Sequence, residues 1–312
     1  MEKKEVRNYF NAHAADWLRG GYESPGHTYP TAFHRARLVA RLLNDDGRSY
    51  QILDLGCGGG DIAFLLAEQG HTVIGVDQSE KMLAIAEERR SRLTPEVSGR
   101  VRFIRGDVES PPISVASVDA VVCMGVIGYL RNDAALFSSA FNLLRPGGRF
   151  FVSCRNRLFN MASLGWRTHR EIKDGSAKDL IDELSSYYQA ISRKDCHTWL
   201  TALRNAVDAA IANLSNTNLE IDRAKTEVII ESSFEARQHT PNEIVESASA
   251  SGFRLSSIHG VHPHILDPNA NTLLPPGIFN QLSSSLETLD HLPTSIVWSS
   301  VFIAVLNKEA RP

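Results

Sequence analysis

Cysteine and long apolar runs are both scarce in this chain. Its 312 residues include four cysteines, at positions 57, 123, 154 and 196, and none of them forms a C-x-x-C pair. Neither a disulfide framework nor a thiolate zinc site is therefore indicated, and buried free thiols are expected. The longest apolar run, residues 120–130, falls far short of the ~20 residues that a membrane-spanning helix needs.

An excess of positive charge is also missing, since 33 basic residues face 36 acidic ones. A chain without a global basic field has no strong electrostatic attraction to nucleic acid, which counts against an RNA or DNA substrate. The first residues, MEKKEVR, lack the apolar segment of a signal peptide. We therefore expect a cytoplasmic protein without membrane or nucleic-acid partners, acting as a monomer or homodimer.

Short apolar strands alternate with helices from residue 50 onward. Strands are predicted at 51–55, 72–76, 101–104, 119–123, 149–153, 253–258 and 296–306. Helices between them imply right-handed βαβ units and a parallel sheet, which is the doubly wound α/β class.

Breaks in this rhythm divide the chain into four segments. They are a helical lid at 1–45, the Rossmann-like core at 46–154, an inserted and mainly helical cap at 155–239 with a strand at 226–231, and a completion of the core at 240–312. The last segment opens with Thr240, Pro241 and Glu243, which predict a capping box at a helix start. It also contains a long connection at 262–294.

A glycine-rich loop follows the first strand and opens a helix. The loop runs from Asp54 through Gly56, Gly58, Gly59 and Gly60. Glycines at this position of an α/β sheet let the backbone approach a ligand closely. A dinucleotide fingerprint would place a further glycine at position 61, where this chain has aspartate. An anion there would compete with a pyrophosphate for the helix N-terminus, so the loop favours a nucleoside without phosphates.

Two further acidic residues stand at the ends of the next strands. Asp77 ends the second strand, where a carboxylate can accept hydrogen bonds from both hydroxyls of a ribose. Asp107 follows the third strand, where a short acidic side chain can accept a hydrogen bond from the exocyclic amine of an adenine. Each alone is more often a cap or turn residue, but acids at three successive strand ends predict a nucleoside site.

Taken together, these motifs resemble class I S-adenosylmethionine-dependent methyltransferases. The matching stretches are ILDLGCGGGD at 52–61, VIGVDQS at 73–79, FIRGD at 103–107, VDAVVCMGV at 118–126 and LLRPGGR at 143–149. The resemblance covers about residues 45–153 and implies a seven-stranded Rossmann-like sheet whose last strand, 296–306, is antiparallel. It also implies a small-molecule type of enzyme with a cap insertion, using S-adenosylmethionine and releasing S-adenosylhomocysteine.

The resemblance further implies roles for matching positions. Gly56 and Gly58 would line the methionine and ribose parts of the cofactor, and Asp77 would hold the ribose hydroxyls. The adenine would lie beside Gln78 and Met82, with Asp107 and Val108 at its edge. The complete set of expected cofactor contacts is Asp54, Gly56, Cys57, Gly58, Asp61, Asp77, Gln78, Met82, Asp107, Val108, Cys123, Met124 and Gly125.

Methyl transfer is an in-line displacement that depends mainly on holding the reactants in line, so no catalytic triad is required. A general base is needed only if the nucleophile stays protonated. His262 and His264, in the cluster His259-Gly-Val-His262-Pro-His264, and Tyr129 after the fourth strand are candidates for that base. A metal site and a polar loop are the alternatives for the histidine cluster, and we predict no bound metal.

The acceptor should bind outside the carboxyl ends of the strands, where the cap and the connection 262–294 begin. Arg155 and Arg157 follow the fifth strand and could hold a carboxylate or phosphate on the acceptor, or form a solvated hinge. Other candidate contacts are Tyr9 and His13 on the amino-terminal helix, which could instead pack on the core, and His239 before the Thr240 cap.

The sequence thus predicts an S-adenosylmethionine-dependent methyltransferase acting on a small metabolite or natural-product intermediate at oxygen, nitrogen or sulfur. An RNA-modifying methyltransferase and a non-catalytic S-adenosylmethionine-binding protein are the alternatives. Salt-dependent RNA binding would favour the first alternative, and cofactor binding without turnover would favour the second.

Overall fold

A computed structural model describes residues 2–22, 31–163, 165–214, 235–264 and 276–309. The strands in these residues are β1 Gln51–Leu55, β2 Thr72–Asp77, β3 Val101–Arg105, β4 Val118–Met124, β5 Leu144–Arg155, β6 Phe253–Pro263 and β7 Ser299–Lys308. They form one seven-stranded sheet in the order β3-β2-β1-β4-β5-β7-β6.

Parallel pairing joins β3, β2, β1, β4 and β5, while β7 lies antiparallel between β5 and β6. The predicted doubly wound sheet with an antiparallel last strand is confirmed. Because parallel strands end at the same edge, the residues after β1, β2, β3 and β4 are brought together there.

Helices cover both faces of the sheet. Those of the core and amino terminus are α1 Lys3–Tyr22, α2 Thr31–Leu43, α3 Asp61–Glu68, α4 Glu80–Arg90, α5 Pro95–Ser98 and α6 Asp133–Leu143. The later ones are α7 Phe159–Ala162, α8 Trp166–Lys173, α9 Ala177–Ala190, α10 Arg193–Leu214, α11 Pro241–Ala250, α12 Pro276–Ser285 and α13 Pro293–Trp298. No helix in the described ranges is both long enough and apolar enough to cross a membrane.

Alternation along the strands divides the core into two layers. Ile52 packs with α2 and α3 on one face, whereas Leu53 and Leu55 pack with α6 and α11 on the other. Successive side chains of a strand point to opposite faces. A strand buried on both faces therefore reads as a continuous apolar run, which is how these strands appear in the sequence.

Hydrogen bonds from side-chain caps define the first residues of helices α4 and α11. The Ser79 hydroxyl accepts a hydrogen bond from the Met82 N–H at 3.2 Å and starts α4 immediately after β2. At α11, Thr240 Oγ1 accepts from the Glu243 N–H at 3.2 Å, and Glu243 Oε2 accepts from the Thr240 N–H at 2.8 Å. The predicted capping box is thus confirmed.

Three predicted strand boundaries are wrong: β5 begins at Leu144 rather than at 149, β6 extends to Pro263 rather than ending at 258, and the closing strand begins later than predicted. Residues 296–298 were expected to open the closing strand, but they end α13, and β7 begins at Ser299. Pro293 supplies the fixed φ angle of a first helical turn, which favours the helix over an earlier strand start. The predicted strand at 226–231 lies outside the described residues, and the four-segment division of the chain stays a prediction.

Candidate functional site: a cofactor cleft and an adjoining cavity

The glycine loop forms a tight turn between β1 and α3. The N–H groups of Gly56 and Cys57 both donate to the Val76 carbonyl, at 2.7 and 3.1 Å. Gly56 has a φ of +76°, and a Cβ there would overlap Cγ2 of Val126. A Cβ at Gly58 would meet only Sδ of Met82, at 4.0 Å, and would stand in the cleft. Glycine is therefore favoured at 56 by the close contact with Val126 and at 58 by a left-handed φ of +52°, and its lack of a Cβ at 58 leaves space in the cleft.

Hydrogen bonds hold the Asp77 carboxylate at the end of β2 and leave some of its acceptor positions unused. Its Oδ2 accepts from the Gly58 N–H at 3.0 Å, and its Oδ1 accepts from the Ser79 N–H at 2.8 Å. Burial raises the pKa of Asp77, while the backbone hydrogen bonds oppose that rise. A carboxylate has about four acceptor positions, so two remain for the hydroxyls of a ribose.

Asp54 lies beneath the glycine loop and is 1% exposed. Its Oδ2 has no hydrogen-bond partner among the described residues. Burial, with smaller contributions from the charges of Asp77 and Asp61, raises the pKa of Asp54 to about 8. A buried carboxyl without a partner is costly, and the positively charged amino group and sulfonium of S-adenosylmethionine are suited to offset that cost. This cluster of acids therefore fits the cofactor.

Asp61 opens α3 and is held by Arg89. Its Oδ1 accepts from Arg89 Nη2 at 2.7 Å, and Arg89 Nη1 also donates to the Gly59 carbonyl at 2.8 Å. The side chain therefore stays at the start of the helix, where it would repel a pyrophosphate.

A cleft runs along this edge of the sheet and collects most of the predicted cofactor contacts. Its lining includes Gly56, Cys57, Gly58, Asp61, Asp77, Gln78, Met82, Asp107, Val108, Met124 and Gly125. Asp54 lies below the lining, and Cys123 is fully buried in the core. Cys123 does not reach the cleft because it points to the opposite face of β4 from Met124.

The amino-terminal helix α1 covers this cleft. Val6, Phe10 and Trp17 line it, and Lys3 Nζ donates to Asp107 Oδ2 at 2.5 Å. Asp107 also accepts from the Glu109 N–H at 3.0 Å. The carboxylate predicted to meet the adenine amine is thus shared with a lysine of the covering helix.

A second cavity, of about 490 Å³, adjoins the cleft. The residues that line both are Trp17, Gly125 and Tyr129. Its size falls within the range of about 300–1,000 Å³ that is typical of small-molecule sites. Its other lining residues come from α2, the end of β5, the α7–α8 region, residues 236–238 and the start of β7.

Two of the predicted bases lie at this second cavity. Burial outweighs the nearby charges of Arg155 and Arg35 and raises the pKa of Tyr129. The Tyr129 phenol therefore stays protonated near neutral pH and can donate a hydrogen bond rather than remove a proton. His264 is buried, and its ring lies 4.6 Å from that of Phe159.

Four other predicted site residues line neither cavity. Tyr9 and His13 stack on each other along α1, with ring centroids 4.6 Å apart. Arg157 is engaged by Glu171 and Glu243. His239 is buried and hydrogen bonded through Nε2 to Asp133 Oδ2, at 3.0 Å. These contacts give all four residues local structural roles. In contrast, the predicted acceptor contact Arg155 does line the second cavity.

The histidines of the predicted cluster do not form one site in the structure. His259 Nδ1 lies 2.5 Å from Asp290 Oδ2, and its Nε2 lies 2.8 Å from the Ser257 hydroxyl. The side chain of His262 is outside the described part of the structure. Within the described ranges, no group of three or more side chains is arranged to hold a metal ion.

Several lining residues had no signal in the sequence. In the cleft they are Lys3 and Val6; in the second cavity they are Arg35, Arg167 and Arg237. Each of these residues either is distant in sequence from the residues that it contacts in the structure, or lies on a helix whose sequence shows only an amphipathic pattern.

Comparison with known proteins agrees with this architecture. Residues 52–148 match a domain family described as "Methyltransferase domain". A ubiquinone biosynthesis O-methyltransferase of Xylella fastidiosa is 34% identical over 107 residues, which are 34% of this chain and 42% of that protein. A probable S-adenosylmethionine-dependent methyltransferase of Mycolicibacterium smegmatis is 36% identical over 126 residues, covering 40% of this chain and 46% of that protein. The chain therefore spans less than half the length of these relatives.

Among solved structures, magnesium protoporphyrin IX methyltransferase from Synechocystis PCC 6803 with bound SAH aligns over 99% of this chain and 100% of that one. The TM-score is 0.56 at 16% sequence identity, which shows a shared fold. The fold and the glycine-lined cleft define a Rossmann-like α/β domain. Within it, residues 52–148 match the methyltransferase domain family, in agreement with the class predicted from the motifs.

Proposed function

We propose that this protein is an enzyme that transfers the methyl group of S-adenosylmethionine to a small molecule. One observation carries the proposal: the cofactor cleft and the second cavity share Gly125, Tyr129 and Trp17. A donor in the first and an acceptor in the second would meet at these residues. When bound, the cofactor supplies a methyl group activated by a positively charged sulfur.

The residues of the cleft would bind and orient the cofactor. Asp77 would accept hydrogen bonds from the ribose hydroxyls, since the Gly58 and Ser79 N–H groups hold its carboxylate in place. Met82 and Val108 would pack on the adenine, and Asp107 would accept from its amine. Fixing the donor in this way converts transfer into a reaction between two held partners.

The residues of the second cavity would position the acceptor. Tyr129 stands where the two cavities join, so its phenol would donate a hydrogen bond near the transferred group. His264 is the candidate base of this cavity, because a neutral imidazole can take a proton from a hydroxyl or ammonium acceptor. The α1 helix would exclude water, which otherwise competes for contacts to the charged cofactor.

Calorimetric titration with S-adenosylhomocysteine tests the cofactor half of this proposal. Asp77→Asn should lower the affinity about tenfold to a hundredfold, since charge-assisted hydrogen bonds contribute about 1.5–3 kcal/mol each. Asp119→Asn is the matched control, because Asp119 starts β4 at the opposite edge of the sheet, where it pairs with Arg145. Its affinity should stay within about twofold of wild type.

The methyl-transfer part of the proposal is tested by incubating the protein with S-adenosylmethionine and candidate acceptors and measuring the S-adenosylhomocysteine formed. No binding to the folded wild-type protein, or equal losses in both variants, would contradict the assignment of the cleft. Cofactor binding without turnover by any small acceptor would leave a binding protein rather than an enzyme.

A further inference from the structure

The second cavity carries a concentration of positive charge. Four arginines line it: Arg35, Arg155, Arg167 and Arg237. None of its described lining residues is acidic. A small enclosed space lined in this way attracts anions, even though the whole chain has a net charge of −3.

Two of the four arginines are already accounted for. Arg237 pairs with Asp133 and donates to the Ile127 carbonyl at 3.2 Å. Arg35 hydrogen bonds Ser153 at 3.4 Å and lies against Gly125, where an added Cβ would be 2.5 Å from its Nη1. That position is the junction with the cofactor cleft, so Arg35 would be placed to hold the carboxylate of a bound cofactor.

Arg155 and Arg167 remain for the acceptor. Arg155 is the last residue of β5 and is exposed, and no acidic side chain in the described residues pairs with its guanidinium. Arg167 Nε lies 3.3 Å from Glu235 Oε1, but the same carboxylate also pairs with Arg170 at 2.6 Å. Arg167 and Arg170 therefore share one carboxylate and Arg155 pairs with no acid in the described residues, which leaves an excess of positive charge.

Arg155 and Arg167 both line this cavity, and their charges are close enough to influence each other. Burial first, and then the charge of Arg155, lower the pKa of the Arg167 guanidinium. Two like charges held together in a partly desolvated space repel each other. An oxyanion placed between them would relieve that repulsion and accept from both planar guanidinium groups.

Aromatic side chains provide the rest of the lining. Trp166 is 58% exposed, and the Arg167 guanidinium stacks 4.5 Å above its ring. Trp17, Tyr129 and Phe159 line the inner part. A large exposed aromatic beside a cavity is suited to an apolar or aromatic ligand body, with the stacked arginine at its charged end.

We propose that the methyl acceptor is an acid with an apolar or aromatic body, whose carboxylate or phosphate binds between Arg155 and Arg167 and whose body packs against Trp166 and Phe159. This inference rests on the function proposed above and narrows it to a class of substrate. The acceptor atom would lie at the other end of the molecule, toward Tyr129.

The test is a titration of the protein with benzoate, phenyl phosphate and the neutral benzamide, with and without saturating S-adenosylhomocysteine. Calorimetry and ligand-observed NMR together cover millimolar affinities. At least one acid should bind about tenfold more tightly than benzamide, in line with about 1.5–3 kcal/mol for hydrogen bonds to a charged group. Preference for benzoate or phenyl phosphate identifies the anion.

Variants assign the effect to these two arginines. Arg155→Gln and Arg167→Gln should each weaken binding of the preferred acid about tenfold while leaving S-adenosylhomocysteine affinity within about twofold. Arg204→Gln is the matched control, because Arg204 is an arginine on α10 that pairs with Asp208 and lies outside the cavity lining. It should change acid binding by less than about threefold.

Equal binding of benzamide and both acids, or unchanged acid binding in Arg155→Gln, would overturn this inference while cofactor binding still stands. Failure to bind S-adenosylhomocysteine would refute the proposed function, and the titration without it would still decide the anion preference. If a short single-stranded RNA bound at least tenfold more tightly than both acids and displaced them, the arginines would belong to an RNA site instead.

Discussion

The two cavities meet at Gly125 and Tyr129, yet they are built in opposite ways. Apart from α1, the cofactor cleft is lined by residues 56–131, which follow successive parallel strands. The second cavity is lined by residues drawn from the whole span between Trp17 and Val301. The first therefore depends on backbone geometry within a short stretch, and the second depends on side chains that long-range packing brings together.

This difference predicts different sensitivities. A cleft that relies on backbone turns should fail when a single glycine gains a Cβ. A cavity that relies on packed helices should fail when the ion pairs that fix those helices are removed. The ion pairs in question join Arg157 to Glu171 and Glu243, which lie on α8 and α11.

The largest effect is expected from Gly56→Ala. The substitution places a Cβ on Val126 Cγ2 and holds alanine at a φ of +76°. We expect S-adenosylhomocysteine affinity to fall at least a hundredfold, about 2.8 kcal/mol, because the loop must shift away from the ligand. Calorimetric titration measures the loss, and circular dichroism checks that the fold persists.

Gly147→Ala separates the clash from the backbone strain. Gly147 has a φ of +80°, but a Cβ there would meet no atom within 4 Å. The left-handed conformation alone costs about 1–2 kcal/mol of stability, with no effect on cofactor affinity. If both variants lost binding equally, the close approach at Gly56 would not be what shapes the cleft.

A comparable effect, on stability rather than on cofactor affinity, is expected on the acceptor side. Glu171 is buried, and its oxygens accept from Arg157 at 2.7 and 3.1 Å and from Asn160 at 2.9 Å. Although burial opposes it, this hydrogen bonding lowers the pKa of Glu171 to about 2. Glu171→Gln should therefore reduce the free energy of unfolding at pH 7 by about 3 kcal/mol.

The sign of the pH dependence follows from the lowered pKa. The folded protein binds this proton less readily than the unfolded chain, so the stability is present above about pH 4.5 and is lost as pH falls toward 2. Urea unfolding at pH 7 and pH 3 should show the difference between wild type and Glu171→Gln narrowing at pH 3. Glu88→Gln, which removes an exposed pair with Arg92, should cost under 1 kcal/mol. A constant difference at both pH values would contradict the assignment.

The same contrast explains what the sequence could and could not predict. Asp54, Gly56, Asp77 and Asp107 were predicted because each stands at a strand end, and parallel strands bring their ends together regardless of the rest of the chain. The prediction placed Cys123 in the cleft because a sequence motif identifies consecutive residues but not which face of the strand each one lies on. In the structure, strand alternation places Cys123 in the core.

On the acceptor side, sequence reasoning selected both Arg155 and Arg157, but the structure separates them. Arg157 faces Glu171, fourteen residues away, and Glu243, eighty-six residues away. Arg155 faces the cavity with Arg167. Two arginines so close in sequence support the same prediction for both. Only the packing of α8 and α11 determines which of the two forms ion pairs with Glu171 and Glu243. Long-range packing of this kind leaves no periodic signal in one sequence.

The smallest and most specific effect concerns Asp54. Its raised pKa, about 8, means that the cofactor-free protein carries a proton there at neutral pH. In the unfolded chain the group has an ordinary aspartate pKa, so this carboxyl lowers the stability of the cofactor-free protein progressively as pH rises from about 4 to 8. Asp54→Asn should remove that part of the pH dependence, as measured by urea unfolding between pH 5 and 8.

Binding of a positively charged ligand group should favour the ionised form of Asp54 over the protonated form, so the carboxyl should release its proton. S-adenosylhomocysteine affinity should then rise with pH toward 8, by up to about tenfold per unit, with proton release detectable as a dependence of calorimetric enthalpy on the buffer. In Asp54→Asn both the rise and the release should disappear, with an affinity about tenfold below wild type at pH 8. A wild-type affinity that stays flat with pH, without proton release, would mean that Asp54 does not contact the charged end of the cofactor. In that case the negative charge of the cleft would act through its lining acids Asp61, Asp77, Asp107 and Glu109 instead.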